Sequence, residues 1–318
     1  MDITQTMDPE LKATYEQIPA FPIPKNADDF VAFRKLAEES TLSLDEVKND
    51  HVVIEDRIGP HAPGAVDVPV RIYTPRSRTG LLPSLLWIHG SGFTVGTPKI
   101  DDALLTRIVE EVGCVVVSVD YRLAPEHPFP SATDDCYATL VWLATHAQEL
   151  GVNRDRLAIA GQSAGGGICA AVGLMARDRG EVRLSFQMPL YACLDDRHIT
   201  SSSHEITDGR TWNRELSLKA WEAYLGNNRE GDISPYAAPI RATNLAGLPP
   251  TYMMTGTLDL MRDENIEYAN RLMQAGVPTE LHVYPGAFHA FELMVANASV
   301  SKRAADEYVS ALKRALKP

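Results

Sequence analysis

The chain has 318 residues, 45% hydrophobic and 23% charged, which gives it ample material for a core and excludes a disordered, collagen-like or disulfide-scaffold protein. Thirty Lys and Arg against 42 Asp and Glu leave a net charge of −12, which disfavours a polyanion-binding surface and argues against a nucleic-acid partner. Cys114, Cys136, Cys169 and Cys193 sit apart inside apolar runs, the first ten residues lack the regions of a secretory signal, and the apolar stretches are too short for a membrane span. A cytoplasmic protein without stable membrane insertion is expected.

Residues 1–48 hold two helix-like stretches, Glu10 to Gln17 and Ala27 to Glu39, broken by IPAFPIPKN. From His51 onward short β-rich runs alternate with helical patterns, the signature of an α/β sheet. Eight strands are predicted, at 51–58, 66–75, 84–90, 114–120, 156–161, 184–193, 250–256 and 279–285. The first two flank GPHAPGA and read as an antiparallel hairpin, whereas the later ones are continuous apolar runs, as parallel strands buried on both faces require. Helices are predicted at 101–112, 131–148, 164–178, 262–275 and 300–316. Residues 195–235 interrupt the alternation with a polar stretch containing Trp212, Trp221 and Tyr224. Together with residues 1–48 they are expected to form a helical cap, leaving 49–194 plus 236–318 as the catalytic domain.

Gly161-Gln162-Ser163-Ala164-Gly165 matches G-x-S-x-G at the point where the strand RLAIAG gives way to the apolar helix GGGICAAVGLMA. A serine at such a turn is presented above the sheet, with small neighbours because the turn leaves no room for side chains. The unpaired N–H groups of the following helix stabilise negative charge on a bound carbonyl. A nucleophilic serine also needs donors from the loop after the third strand, where His89-Gly90-Ser91-Gly92-Phe93 follows SLLWI. A competing reading takes Gly90-x-Gly92-x-x-x-Gly96, with Asp120 ending the next strand, as a dinucleotide-binding turn. Its spacing is one residue too long, and its helix starts only near Asp101.

The base must follow the nucleophile in this chain order. His289, just past the last strand in GAFHAF, is placed to reach back to Ser163, while His282 lies within a strand and His198 and His204 fall in the expected cap. Asp259 and Asp263 are the acids available after PTYMMTG. Asp263 reads as an N-cap of the following helix, so Asp259 is the expected partner of the histidine.

At this point the sequence resembles the hormone-sensitive-lipase-like esterases of the α/β-hydrolase superfamily. HGSGF (89–93), DYRLAPEHPFP (120–130), GQSAGG (161–166) and DLMRDE (259–264) stand in that family's order, and the match runs from about residue 50 to the C-terminus. The resemblance implies an α/β-hydrolase fold with a cap, nucleophile Ser163, acid Asp259 and base His289, and oxyanion N–H groups from Ser91, Gly92 and Ala164. It implies ester hydrolysis through an acyl-enzyme with no metal or organic cofactor, a small ester as the partner, and it allows a homodimer. Amide, lactone or deacylation chemistry would use the same triad. Relatives that only bind ligand lack the base, which is kept here. Three positions depart from the pattern: Ser91 replaces the middle glycine of HGGG, Gln162 stands where Asp is usual, and Ala290 where Gly is common. Phe93 and Trp212 are expected to close a substrate pocket, favouring acyl chains of roughly C2 to C8.

Overall fold

The structure is a computed structural model and describes residues 3–42, 49–59, 67–229 and 231–317. Its strands are β1 (Val52–Ile58), β2 (Pro69–Pro75), β3 (Leu82–Ile88), β4 (Val115–Val119), β5 (Val152–Gln162), β6 (Phe186–Leu190), β7 (Thr251–Leu258) and β8 (Thr279–Phe288). They form one sheet in the order β1-β2-β4-β3-β5-β6-β7-β8. β2 is antiparallel to both neighbours, and the other pairings are parallel. Strands covered on both faces tolerate only side chains that can leave water, and β4 and β6 are accordingly buried at every position. The predicted hairpin pairing of the first two strands is present, with Ile58 opposite Pro69. Its turn, from Pro60 on, and the predicted strand start at Val66 lie outside the described residues.

Helices flank this sheet: α3 (Asp102–Val112), α4 (Ser131–Thr145), α5 (Ala164–Arg179), α8 (Arg262–Gln274) and α10 (Ser299–Ala315), the last preceded by the single-turn α9 (Phe291–Met294). α3 packs on α10, α4 on α5, and α8 on β7. Gly113 and Gly180, both in the left-handed region, end α3 and α5 by accepting the conformation that other residues avoid. Among the described residues no helix is long and apolar enough to cross a membrane.

The predicted end of the last strand at Pro285 falls short, because β8 runs on to Phe288. A register irregularity between Gly256 and Leu258 accompanies this extension, and Gly286, at φ 71°, donates its N–H to Thr257 Oγ1 at 2.8 Å. The extension delivers His289 directly from the end of the sheet. β5 likewise starts at Val152, earlier than the apolar run suggested, because Val152 pairs with Leu82.

The two segments outside the alternation are helical. α1 (Pro9–Tyr15) and α2 (Ala27–Leu42) occupy the first, and α6 (Ser201–Glu205) and α7 (Arg214–Leu225) the second. α1 docks on the sheet edge, where Asp8 N–H donates to Gly286 O at 3.0 Å and the Tyr15 ring lies 5.0 Å from that of Phe288. The segments also meet each other, through Phe21 N–H to Gly209 O at 2.7 Å and Arg210 above the Tyr15 ring. Arg34 ties α2 to the body of the molecule by donating to Thr94 O and Ala124 O and pairing with Glu126.

Candidate active site

Ser163 joins β5 to α5 with φ 54° and ψ −119°, a conformation that strains any residue with a Cβ. It is held there by its own backbone: Ser163 N–H donates to Leu190 O, while its carbonyl accepts from the N–H groups of Gly167 and Cys193, each at 3.0 Å. The neighbouring glycines are sterically required. A Cβ on Gly165 would lie 2.2 Å from Ile88 O, and one on Gly161 2.3 Å from Gly165 O.

Ser163 Oγ stands 2.9 Å from His289 Nε2, and His289 Nδ1 lies 3.0 and 3.1 Å from the two oxygens of Asp259. A carboxylate can only accept, which puts the ring proton on Nδ1 and leaves Nε2 to accept from the serine. Asp259 follows β7 and is steadied by the N–H of Met261 at 2.9 Å. All three side chains are buried. The other candidates lie elsewhere, and His204 is exposed on α6. His198 bonds Ser217 Oγ and Asp196 O, and His282 faces Glu280 and Glu307.

Asp263 is not the helix N-cap expected of it; Met261 takes that place. Asp263 lies within the first turn of α8, where it accepts from Ser202 N–H at 2.7 Å and pairs with Arg262. Burial opposes its charged form, but the bonds from Arg262 and Ser202 outweigh this and hold the carboxyl below its ordinary range.

The loop after β3 runs beside the serine, since a Cβ on Gly90 would approach that of Ser163 to 3.6 Å. Gly92, at φ 51°, lies under the Trp212 ring, so closely that a Cβ would come within 2.2 Å of it. The Ser91 hydroxyl turns away into a buried chain of hydrogen bonds. Phe93 N–H donates to Ser91 Oγ at 2.9 Å, and Tyr121 Oη lies 2.6 Å from Ser91 Oγ and 2.8 Å from His89 O. A carbonyl cannot donate and tyrosine has one proton, so Tyr121 donates to His89 O and Ser91 donates to Tyr121. Neither the Gly92 nor the Ala164 N–H has a protein acceptor among the described residues. The His89 ring stacks on Tyr121 with centroids 4.4 Å apart, and its burial pushes the imidazole down to about 4.

A cavity of about 240 Å³ opens onto Ser163 and His289, walled by Phe21, Phe33, Val95, Trp212, Leu216 and Leu293 among others. Trp212 lines it. Phe93 does not: its positive φ of 65° directs the ring into the core, where it stacks on Tyr224 at 4.0 Å. Two buried donors bordering the cavity, Gln162 Nε2 and Trp212 Nε1, find no protein acceptor among the described residues. The Tyr191 ring packs nearly perpendicular to that of His289, centroids 5.0 Å apart, and its hydroxyl donates to the buried Glu292 at 2.6 Å. Burial pushes Glu292 up to about 7, against the lowering effect of Tyr191. No sequence pattern had pointed to Tyr191 or Glu292. The dinucleotide-binding alternative finds no support in the local geometry, because the glycine loop leads to a 3₁₀ turn at Pro98–Asp101 and no helix starts at the glycines. Among the described residues no cluster of three or more His, Cys, Asp or Glu side chains is arranged to hold a metal ion.

A family model described as the alpha/beta hydrolase fold matches residues 85–293. A carboxylesterase of Mycobacterium tuberculosis, NlhH, is 32% identical over 98% of this chain and 96% of its own. The chain belongs to the hormone-sensitive-lipase-like carboxylesterase family. Among solved members of the superfamily, a bacterial heroin esterase superposes with a TM-score of 0.92 at 42% identity, covering 99% of each chain. The ethyl acetate hydrolase of Pseudomonas putida is 30% identical over 71% of this chain and 72% of its own. Within this esterase family the Ser91 departure has a structural counterpart here, since the added hydroxyl is absorbed by Tyr121 of the DYRLAPEHPFP signature.

Proposed function

We propose that the chain is a serine carboxylesterase that hydrolyses short- to medium-chain acyl esters through an acyl-enzyme intermediate. The observation that carries this reading is the unbroken hydrogen-bond path from Ser163 Oγ through His289 to Asp259 at the head of a mainly apolar cavity. As Oγ attacks the ester carbonyl carbon, His289 Nε2 takes its proton, and it returns that proton to the departing alcohol when the C–O bond breaks. Water, deprotonated by the same nitrogen, then attacks the acyl-serine, and the acid leaves as Ser163 regains its proton. Asp259 keeps the ring in the reactive tautomer and offsets its transient charge. The N–H groups of Ser91, Gly92 and Ala164 receive the developing oxyanion, backed by the N-terminus of α5. Gln162 Nε2 and Trp212 Nε1 are free to meet other ester oxygens.

Residues 1–48 and 195–235 act in this reading as a cap over the catalytic domain formed by 49–194 and 236–318. Phe21 and Phe33 from the first segment and Trp212 and Leu216 from the second wall the cavity, which supports that division. A space of this size suits short acyl chains. The test is a fluorophosphonate label located by mass spectrometry, together with ester, amide and lactone panels on wild type and Ser163→Ala. Labelling at Ser163 and a loss of about 10⁴ to 10⁶ in turnover are expected. Labelling elsewhere, or a loss of only about tenfold in the variant, would overturn the assignment.

A further inference from the structure

We propose that Asp101 is the anchor for a protonated amine, so that the preferred substrates of this cavity are esters carrying a cationic amino group. The inference rests on the esterase reading of the same site. Among the described residues that line the cavity with Ser163 and His289, Asp101 is the one carboxyl, and it is 3% exposed. A carboxyl removed from water this completely is costly unless a partner replaces the lost hydration.

The molecule supplies such partners elsewhere. Asp135, Asp195 and Asp259 are equally buried, and each faces a base: Arg122, Arg197 and His289 respectively. Asp101 faces none among the described residues. Its Oδ2 accepts from Trp87 Nε1 at 2.7 Å, and no hydrogen bond to its second oxygen is found there. The charged neighbour that influences it is Asp102, of the same sign; burial first and that repulsion second, against the Trp87 bond, push the carboxyl up to about 7. Among the described residues the buried Glu264 and Glu292 also pair with no base, but Glu264 accepts from the N–H groups of Leu194 and Asp195 and Glu292 from Tyr191, and neither lines the cavity; Asp101 is the acid without a base that borders the cavity meeting the nucleophile.

The walls suit the same occupant. Phe33, Tyr191 and Trp212 line the cavity, and aromatic faces attract alkylammonium groups. An arriving ammonium donates its N–H to the open oxygen of Asp101 and draws the carboxyl into its ionised form, making a charge-assisted bond away from bulk water. The net charge of −12 favours approach of a cation over that of an anion.

The experiment compares pairs of esters that differ in charge at nearly constant shape, at pH 7.5. One arm places the amine in the alcohol, 2-(dimethylamino)ethyl butyrate against 3-methylbutyl butyrate. The other places it in the acyl group, ethyl 3-(dimethylamino)propanoate against ethyl 4-methylpentanoate. In at least one arm wild type should show the higher kcat/KM for the amine, and Asp101→Asn should lower that amine-to-isostere ratio by about tenfold or more. Preference for the uncharged ester in both arms, or a ratio unchanged in Asp101→Asn, overturns the proposal. Should that variant fail to fold, inhibition of wild type by 2-(dimethylamino)ethanol and by 3-methylbutanol decides the alcohol arm, and 3-(dimethylamino)propanoate against 4-methylpentanoate the acyl arm. Tighter inhibition by the amine in either pair supports Asp101, and equal or weaker inhibition by the amine in both refutes it. Failure of wild type to hydrolyse either uncharged ester would instead count against the esterase reading.

Discussion

Ser91→Ala tests whether the hydroxyl that replaces a family glycine holds the loop beside Ser163 in its working shape. The change removes the acceptor of Phe93 N–H and the donor to Tyr121 Oη, while Tyr121 keeps its bond to His89 O. Phe93 is buried, so its N–H is left without a partner, which costs about 1–3 kcal/mol of stability. For a chain of 318 residues that corresponds to a fall in Tm of roughly 1.5 °C per kcal/mol. The kinetic effect follows from geometry. Phe93 sits at φ 65° and Gly92 at φ 51°, so relaxation at Phe93 propagates into the N–H groups proposed to meet the oxyanion.

Complete loss of one such donor lowers turnover by about 10²–10³. Displacement without loss is expected to lower kcat by about tenfold, with KM within about twofold because the apolar side chains that wall the cavity are unchanged. Steady-state kinetics on 4-nitrophenyl butyrate and thermal unfolding give both quantities. Tyr121→Phe provides the comparison, since it leaves Ser91 Oγ accepting from Phe93 N–H and should be milder in kcat. A fall in Tm with kcat unchanged would refute the positioning argument, and a kcat loss greater in Tyr121→Phe than in Ser91→Ala would place the effect on the wrong residue.

Asp259→Asn should lose roughly 10³–10⁴ in kcat at near-constant Tm, whereas Asp263→Asn keeps an acceptor for Ser202 N–H, gives up the Arg262 pair, and should stay within about threefold. A collapse confined to Asp263→Asn would reverse the assignment of the acid. Glu292→Gln tests the buried acid under Tyr191. The folded pKa of Glu292, about 7, lies above the ordinary value of 4.5, so the folded state binds the extra proton, and the stability this group contributes at low pH is lost as pH rises from about 5 to 8. The amide of the variant mimics the protonated acid and still accepts from Tyr191, so its stability advantage in urea unfolding should grow from about 1 kcal/mol at pH 5 to about 3 kcal/mol at pH 8.5. A difference independent of pH would show that Glu292 ionises as readily in the folded chain as in the unfolded one.

What could be read from the residues alone was what neighbouring positions decide. The eight apolar runs, the glycines around Ser163 and the chain order of Ser163, Asp259 and His289 follow from local sterics and from the topology of a parallel sheet. Asp263 was misread because an acid at the start of a helix looks like a cap, and only the fold shows that Ser202, 61 residues away, takes its oxygen. Phe93 was misread because nothing in a residue's identity reveals the sign of φ, and at φ 65° its ring goes to Tyr224 and not to the cavity. The four-residue helix Phe291–Met294 is too short to show a periodicity, and Glu292 within it finds Tyr191 101 residues earlier. Ser91 carries the same lesson furthest. Read by itself it is a defect in a glycine motif, and Tyr121 is one letter of a separate signature. In the folded chain Phe93 N–H, Ser91, Tyr121 and the His89 carbonyl form a single hydrogen-bonded path whose proton positions are all determined, so the departure in one motif is accommodated by a residue of the other.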